Sequence, residues 1–367
     1  MKKRILIKGV LIRPNRNGFV PGIGRSNVEL INALVKINDP DVVFSCYSIG
    51  VNFLNPFPYK WPIKCYSYPI LGRFAKYADS WLEPFYRKYI IGYDLVHLTG
   101  NYDGVWKNEH FVLTIHDLMI YENDEKKRSR FEKCAKYSKA IFTCSEYSKK
   151  QIIEKLHVPE KKVHVVYWGI NHNLFFKHDD SAVTKITHKY GISTRYIFSC
   201  VGYDMTNRKN SDITLAAFRK AMSYVQDISL VLTWKTISKE IEKEYKEEIE
   251  SGRIKILTGI PDEDLVCLYS GALVSVFISS SEGFGFPVLE SFACGTPCIT
   301  CNNTSLSEIG SDKAFYVKER DINETCNAML YFAKNGKGDT SSLMAYAKNF
   351  TWEKAAKEFL TVYKDVI

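Results

Sequence analysis

Short runs of apolar and β-branched residues alternate along the chain with stretches in which apolar residues recur every three or four positions. The runs are typical of buried parallel strands, and the three-to-four periodicity is typical of amphipathic helices packed on a sheet. The strands are predicted at residues 4–12, 42–47, 95–98, 111–115, 141–144, 163–167, 196–201, 230–233, 254–258, 274–278 and 297–300. The helices are predicted at residues 27–37, 145–156, 212–222, 237–250, 262–270 and 288–294. The pattern indicates an α/β protein with parallel sheets.

The chain has 367 residues, which at ~150 residues per domain favours two domains. Residues 168–192 have poor periodicity and many polar side chains, so the domain boundary is predicted there. We expect two Rossmann-like domains, residues 1–175 and 190–350, facing each other across a cleft. Such sheets bind their ligands outside the carboxyl ends of the strands.

Composition narrows the class of protein. Apolar residues are 46% and charged residues 25%, an ordinary globular mixture, and no apolar run approaches the ~20 residues of a membrane-spanning helix. Lys8 interrupts the first apolar stretch, which therefore predicts a strand rather than a signal peptide. The ten scattered cysteines are expected to be reduced thiols, so the protein is expected in the cytoplasm.

Charge is uneven along the chain. Residues 1–168 contain 27 Lys and Arg against 16 Asp and Glu, a net charge of +11, while the remainder has 23 against 25. A basic first half suits nucleic acid, an anionic membrane surface or a phosphorylated substrate, and it also suits a solvated basic face without a partner. No nucleic-acid-binding motif accompanies the charge, so nucleic acid ranks below a membrane or a lipid phosphate.

A segment rich in aromatic residues lies in the same half. Thirteen of residues 53–93 are aromatic, and the later part has helical spacing and carries Arg73, Lys76, Arg87 and Lys88. An aromatic stripe of this kind forms a core helix, a membrane-surface helix or a sugar-stacking acceptor site. The sequence leaves these three interpretations open.

The most informative stretch runs from Ser279 to Pro297, between a predicted strand and a helix. Glu282 and Glu290 are separated by seven residues, and Gly283 and Gly285 allow the backbone to approach a ligand closely. Pro287 suits the first helical turn, so the helix N-terminus also points toward the ligand. Two carboxylates accept hydrogen bonds from hydroxyl groups, and the amides donate them. The stretch therefore predicts recognition of a hydroxyl-rich ligand.

With these residues the chain resembles the GT-B-fold retaining glycosyltransferases of family GT4, whose Glu-x7-Glu signature Glu282 and Glu290 match. Several other segments are similar to family motifs, namely Pro21–Arg25, Thr114–Leu118, Ser145–Ser148, Val165–Ile170, Arg208–Asn210, Leu257–Gly259, Ser307–Ile309 and Thr351–Glu353. The resemblance covers nearly the whole chain. It implies that the final helix, within residues 351–367, crosses back to the N-terminal domain.

The resemblance also implies roles for individual residues. Glu282, His116 and Lys209 are the implied catalytic residues: Glu282 acts at the sugar, His116 contacts the transferred sugar, and Lys209 stabilises the leaving diphosphate. The implied substrate-binding residues are Gly22, Gly24, Arg208, Ile260, Gly283, Phe284, Gly285 and Glu290. Among them, Glu290 accepts from the ribose hydroxyls and Ile260 packs on the base. No metal or other cofactor is required if lysine and backbone amides hold the diphosphate.

The sequence departs from the family at Tyr203, which follows Gly202 where many members have arginine. One phosphate-neutralising charge is thus missing, and Arg208 or the Gly24 loop is expected to replace it. Two other motifs are set aside. Cys298 and Cys301 have zinc-like spacing without a second pair, and the Gly22 segment lacks the third glycine of a dinucleotide fingerprint, which disfavours NAD.

The resulting expectation is a retaining glycosyltransferase that moves a sugar from a GDP- or UDP-linked donor to a glycan acceptor. A weak resemblance to O-antigen and capsule transferases favours mannose, a lipid-linked acceptor and polysaccharide biosynthesis. The basic domain would then dock at the inner membrane face. The alternatives are a sugar-nucleotide epimerase on the same fold and a non-catalytic nucleotide-sugar-binding subunit.

Overall fold

The computed structural model describes residues 1–9, 11–12, 20, 22–50, 59–69, 92–101, 110–119, 121, 124–200, 208–234 and 237–367. The chain divides into two compact units. The N-terminal unit contains Met1–Gly169 together with Thr351–Ile367, and the C-terminal unit contains Ile170–Phe350.

The N-terminal unit is built on a seven-stranded parallel sheet. Its strands are β1 (Lys3–Lys8), β2 (Val42–Gly50), β3 (Lys64–Pro69), β4 (Leu95–Leu98), β5 (Phe111–Thr114), β6 (Ile141–Thr143) and β7 (Val163–Val165). The described helices are α1 (Gly22–Ile37), α2 (Glu125–Tyr137), α3 (Glu146–Leu156) and, from the chain end, α13 (Trp352–Val366). A short 3-10 helix spans Glu160–Lys162. The strand order β3-β2-β1-β4-β5-β6-β7 changes direction between β1 and β4.

The C-terminal unit has a six-stranded parallel sheet of order β10-β9-β8-β11-β12-β13. Its strands are β8 (Arg195–Ser199), β9 (Ile228–Thr233), β10 (Ile254–Leu257), β11 (Val274–Phe277), β12 (Cys298–Cys301) and β13 (Phe315–Val317). Its helices are α4 (Asp180–Lys189), α5 (Ser211–Ala221), α6 (Lys239–Glu244), α7 (Lys246–Glu250), α8 (Asp262–Gly271), α9 (Phe286–Ala293), α10 (Thr304–Gly310), α11 (Ile322–Asn335) and α12 (Ser341–Ala347). The order reverses between β8 and β11.

Local sequence explains several helix starts. The Ser145 side chain accepts a hydrogen bond from the Ser148 amide, so α3 begins with a side-chain cap at the first residue of the predicted helix 145–156. Asp124 and Asp179 cap α2 and α4 in the same way, and Thr351 caps α13. Each cap satisfies one of the amides that a helix N-terminus leaves without a partner.

Helix α13 belongs to the core of the N-terminal unit. Phe359 packs on Phe142 with a ring-centroid distance of 4.2 Å, and Tyr363 is fully buried. The Tyr363 hydroxyl lies 2.6 Å from His97 Nδ1, while His97 Nε2 lies 2.7 Å from Thr114 Oγ1. Burial lowers the pKa of His97 to about 3, so this imidazole is neutral at physiological pH.

The observed elements differ from the sequence pattern in identifiable places. Strands β3 and β13 were not predicted, because β3 lies in the aromatic-rich segment and β13 has only three residues, of which Phe315 is exposed. The predicted helix 237–250 is two helices that meet at Tyr245. Strand β1 ends at Lys8 rather than residue 12, and α1 begins at Gly22 rather than residue 27.

Parts of two sequence-based expectations lie outside the described residues. Gly202 and Tyr203, the site of the family departure, are among them, and so are Arg73, Lys76, Arg87 and Lys88 of the aromatic segment. In the part of the chain that is described, no helix is long and apolar enough to cross a membrane.

Candidate active site

The candidate site of the C-terminal unit lies where its sheet changes direction. Strands β8 and β11 are neighbours there. The chain continues from β8 to β9 on one side of this pair and from β11 to β12 on the other. This leaves a crevice at the carboxyl ends of the two strands, which is where open parallel sheets bind ligands. Residues 208–210 follow β8, and residues 279–285 follow β11, so both predicted motifs reach this one edge.

An ion pair joins the two motifs. Arg208 Nη1 lies 2.5 Å from Glu282 Oε1, and each side chain is less than one-fifth exposed. Glu282 Oε1 also accepts from the Ser279 hydroxyl at 3.0 Å. The Glu282 carboxylate is therefore held in one orientation, and the charge of Arg208 is offset by its partner.

Backbone contacts reinforce this junction. The Ser280 amide donates to the Arg208 carbonyl at 2.8 Å, and the Asn210 side-chain amide donates to Ser280 Oγ at 3.2 Å. Asn210 is buried and has a left-handed backbone (φ 45°) directly before α5. The two loops consequently form one hydrogen-bonded structure rather than two independent segments.

Lys209 differs from Arg208 in its surroundings. Among the described residues, no carboxylate lies within ion-pairing distance of Lys209, which stands two residues before the start of α5. The first amides of that helix have no intrahelical acceptors, and the helix dipole adds partial positive charge there. A lysine beside a helix N-terminus is suited to hold a phosphate group.

Glu290 lies in the second turn of α9, and a buried tyrosine contacts it. Tyr269 of α8 is fully buried, and its hydroxyl lies 3.3 Å from Glu290 Oε2 and 2.8 Å from Cys200 Sγ. Burial and then the charge of Glu290 raise the pKa of Cys200 to about 12, whereas the charge of Lys209 lowers it. Glu290 and Lys209 thus both lie within electrostatic reach of the same thiol.

The glycine-containing loop between the two glutamates has a definite conformation. Gly285 has φ of +121°, which side chains larger than hydrogen rarely allow, and it is the residue before α9. Pro287 stands in the first turn of that helix, as predicted. Phe284 is buried against Phe286, with a ring-centroid distance of 5.0 Å, so its side chain packs in the interior while Gly283 is partly exposed.

Ile260 follows the edge strand β10 and is half-buried. Because all strands of the sheet are parallel, Ile260 comes off the same edge as Lys209 and Glu282. Three strand spacings of ~4.8 Å separate β10 from β11, which is about 14 Å along this edge.

His116 occupies the corresponding edge of the sheet in the N-terminal unit. It follows β5, is buried, and its Nε2 lies 2.9 Å from the Thr99 carbonyl after β4. A carbonyl only accepts, so Nε2 carries the proton. Burial lowers the pKa of His116 to about 4, so Nδ1 is a bare acceptor at neutral pH.

No described group donates a hydrogen bond to His116 Nδ1, although this atom is buried. A buried acceptor without a donor costs about 1–3 kcal/mol, which a ligand hydroxyl would recover. The Asn101 side chain fixes the loop, because its Oδ1 accepts from the His116 amide at 2.6 Å. The Trp168 ring packs on the imidazole with centroids 4.7 Å apart.

The two glycines assigned to a loop lie in the first turn of α1. A Cβ on Gly24 would come within 2.1 Å of the Leu11 carbonyl oxygen, so this position needs glycine for close packing of the chain on itself. Among the described residues, a Cβ on Gly22 would meet nothing within 4 Å, and the first amides of α1 have no intrahelical acceptors.

Sequence reasoning missed Tyr269 and Asn101. Tyr269 fits the apolar face of a helix and Asn101 stands in a connecting segment, so neither belongs to a recognisable motif. In the described ranges, no group of three or more His, Cys, Asp and Glu side chains is placed to hold a metal ion. All ten cysteines are free thiols, including Cys298 and Cys301.

Comparison with known proteins identifies the family. Residues 20–174 match the model described as Glycosyltransferase Family 4, and residues 183–341 match the model described as Glycosyl transferases group 1. O-antigen chain mannosyltransferase B of Escherichia coli is 28% identical over 274 residues, which cover 70% of each chain. Serotype-specific mannosyltransferase WbdA of Escherichia coli is 26% identical over 68% of this chain but only 32% of its own length, so the chain spans about a third of that relative.

The fold agrees with this assignment. The structure of Anabaena HepE, solved in complex with UDP and glucose, matches with a TM-score of 0.69 at 15% identity, covering 99% of this chain and all of that one. The chain has two parallel-sheet α/β units, and glycosyltransferase family models match most of its length. The chain belongs to glycosyltransferase family 4 and has the GT-B fold.

Proposed function

We propose that this glycosyltransferase moves a sugar, most simply mannose, from a nucleotide-diphosphate donor to a glycan acceptor with retention of anomeric configuration. The observation that carries the proposal is the arrangement of Lys209, Glu282 and Glu290 at the switch point of one sheet. Two relatives named as mannosyltransferases support the sugar, and the UDP bound to HepE supports a nucleotide donor.

Negative charge develops on the β-phosphate as the bond to the sugar breaks. Lys209 and the N-terminus of α5 would stabilise that charge, and a preorganised positive group acts more strongly there than water does. Arg208 is committed to Glu282 in this structure, so Lys209 is the better candidate for the leaving group. In the N-terminal unit, the amides near Gly22 and Gly24 are proposed to bind phosphate through the start of α1.

Glu282 is proposed to act at the sugar, either on a hydroxyl or on the oxocarbenium-like charge of the transition state. Its bonds to Arg208 and Ser279 fix the carboxylate before the donor arrives. His116 is proposed to accept a hydrogen bond from a sugar hydroxyl at Nδ1. Retention of configuration is inferred from the family resemblance.

The nucleoside is proposed to lie along the same edge of the C-terminal sheet. Glu290 would accept from the ribose hydroxyls and Ile260 would pack on the base, with the amides of Gly283 and Gly285 and the backbone of Phe284 lining the loop. The spacing from β10 to β11 gives room for base, ribose and diphosphate in sequence.

Glu290→Ala is expected to weaken binding of the nucleoside diphosphate by about 10- to 100-fold, because hydrogen bonds to a charged acceptor contribute about 1.5–3 kcal/mol. The measurement is titration calorimetry with GDP and UDP, after a thermal-shift panel of nucleotide sugars has selected the donor. Glu324→Ala, at a half-buried glutamate of α11 in the same unit, is the control. Equal affinities for wild type and Glu290→Ala would refute the ribose role.

Product analysis with the selected donor distinguishes the remaining functions. Released nucleoside diphosphate together with an extended glycan supports transfer. Isomerised nucleotide sugar without transfer would identify an epimerase, and tight binding without turnover by the isolated chain would identify a binding subunit. A lipid-linked glycan of the polysaccharide or O-antigen type is the acceptor class that we propose.

Transfer is expected to retain most of its rate after EDTA treatment, because Lys209 and helix N-termini are proposed to hold the diphosphate. The sequence contains two Asp-x-Asp pairs, the pattern that often holds a divalent ion, and lysines contact both. Asp39 and Asp41 lie 2.9 and 3.4 Å from Lys364 Nζ, and Asp264 forms an ion pair with Lys189. Complete loss of transfer that Mg²⁺ or Mn²⁺ restores would contradict the metal-independent proposal.

We propose further that the enzyme docks on anionic lipid at the inner membrane face. The part of the aromatic segment that carries Arg73, Lys76, Arg87 and Lys88 lies outside the described residues. Within the described residues, 124–162 carry 12 Lys and Arg against 6 Asp and Glu, which is a net charge of +6 and more than half of the +11 of residues 1–168. This segment contains α2, α3 and the short 3-10 helix.

A further inference from the structure

Tyr269 stands directly behind the carboxylate proposed to bind ribose. Its ring is fully buried and meets Phe198 edge to face, with centroids 4.8 Å apart and an interplanar angle of 77°. Its hydroxyl reaches Glu290 Oε2 at 3.3 Å and Cys200 Sγ at 2.8 Å. The tyrosine therefore contacts one oxygen of Glu290 from the interior of the unit.

The three groups can share their protons in one consistent arrangement. The phenol hydroxyl is the donor in both contacts, and it has one proton for the two acceptors. An ionised carboxylate only accepts, whereas a thiol can also donate, so the phenol proton serves Glu290 when the Cys200 thiol turns its own proton toward the phenol oxygen. Burial raises the pKa of Tyr269 well above its ordinary value, so the phenol keeps the proton that it donates. The pKa of Cys200 is raised as well, which keeps the thiol protonated.

A glutamate with three rotatable bonds normally loses rotamer freedom when it binds a ligand. A buried phenol that already holds one oxygen removes part of that loss before binding, which corresponds to about a tenfold gain in affinity for a ligand that uses the carboxylate. A ligand without hydroxyl groups at the matching position gains nothing from this arrangement.

We propose that Tyr269 is a positioning residue that orients Glu290 and thereby sets the preference of this enzyme for ribonucleotide donors over deoxyribonucleotide donors. The inference rests on the proposed function, in which Glu290 accepts from the ribose hydroxyls. It adds a residue that touches no substrate and acts only through Glu290.

The test is the ratio of two dissociation constants measured by calorimetry. The probes are the nucleoside diphosphate that wild type binds more tightly, GDP or UDP, and its 2′,3′-dideoxy form. Wild type is expected to prefer the ribonucleotide by at least about tenfold. Tyr269→Phe keeps the ring and removes the hydroxyl, and it is expected to lower ribonucleotide affinity by about tenfold while leaving dideoxynucleotide affinity within about twofold.

Tyr196→Phe is the matched control. Tyr196 is also a buried tyrosine of the C-terminal unit, but its hydroxyl donates to the Leu268 carbonyl at 2.8 Å. This variant is expected to lose thermal stability and to keep the wild-type ratio. A merely structural role for Tyr269 would give the same result as the control, with a lower melting temperature and an unchanged ratio.

Glu290→Ala, which removes the acceptor altogether, separates the failure of this inference from failure of the proposed function. If wild type prefers the ribonucleotide, Glu290→Ala abolishes the preference and Tyr269→Phe preserves it, the inference is overturned and the role of Glu290 stands. If Glu290→Ala keeps the preference, the ribose role fails and the inference fails with it. Adding Tyr269→Phe to Glu290→Ala is expected to cause no further loss of ribonucleotide affinity.

Cys200→Ala keeps the proposal testable if Tyr269→Phe does not fold. Without the thiol, the phenol still donates to Glu290, so the preference for ribonucleotide is expected to remain. Loss of the preference in Cys200→Ala, to the level of Glu290→Ala, would overturn the inference, since the thiol rather than the phenol would then position the carboxylate.

Discussion

Replacing Lys209 by methionine is expected to lower kcat for sugar transfer by about 10²- to 10³-fold, the usual cost of removing one preorganised group that stabilises charge in a transition state. Methionine keeps the length of the side chain and removes only the ammonium. Affinity for the intact donor is expected to fall by about tenfold or less, because the diphosphate gains charge mainly as the sugar leaves. Steady-state kinetics with the selected donor measures both quantities.

The control for this variant is Lys334→Met, at an exposed lysine of α11 in the same unit. Its kcat and KM are expected to equal those of wild type. If kcat of the Lys209→Met enzyme is unchanged, another cation stabilises the leaving diphosphate. Arg208 would then be the first candidate, and the ion pair with Glu282 would have to open during the reaction.

The Arg208–Glu282 pair illustrates what sequence spacing can and cannot predict. The signature correctly places Glu282 at a strand end, because a strand, a glycine-containing loop and a helix follow one another in the sequence. The ion pair depends on sheet order, since it joins loops that lie 74 residues apart and meet only because β8 and β11 are neighbours. Sequence spacing holds no information about that adjacency.

Features that depend on neighbouring residues could be predicted from the sequence, whereas features that depend on tertiary contacts could not. The cap at Ser145 was predictable because a serine, its acceptor oxygen and the Ser148 amide lie within one turn. The acceptor at His116 Nδ1 was not, because it follows from burial and from the Thr99 carbonyl on a neighbouring strand end. Tyr269 gave no signal, since an aromatic residue on the apolar face of a helix is expected to be core.

The glycines show that a residue matching a family motif can have a structural reason of its own. Gly24 matches the family loop, yet the structure gives it a packing reason, the close approach of the Leu11 carbonyl. Within the described ranges, no atom lies within 4 Å of a Cβ placed on Gly22. A phosphate role for this segment would therefore depend more on the amides at the start of α1 than on the absence of a side chain at Gly24.

The basic surface of the N-terminal unit is expected to bind anionic membranes strongly. Four exposed lysines, Lys126, Lys133, Lys136 and Lys139, lie on or just after α2, and no described carboxylate forms an ion pair with them. Three of them recur at helical spacing on α2, which carries six Lys and Arg against two Glu. Each lysine near an anionic membrane contributes about 1 kcal/mol of attraction.

Reversing these four lysines to glutamate is expected to weaken binding to vesicles containing anionic lipid by at least about 10²- to 10³-fold, because about 4 kcal/mol of attraction is lost and repulsion is added. Wild-type binding should also fall with salt, as the Debye length shrinks from ~10 Å at 0.1 M to ~3 Å at 1 M. Co-sedimentation measures binding, and a melting curve checks the fold. The matched control reverses Lys185, Lys239, Lys243 and Lys334, which are exposed on the C-terminal unit and give the same change in net charge. Equal loss of vesicle binding in both variants would show that overall charge, and not the position of these lysines, causes the effect. If the wild-type protein does not sediment with anionic vesicles, α2 is a solvated basic face and the docking proposal fails.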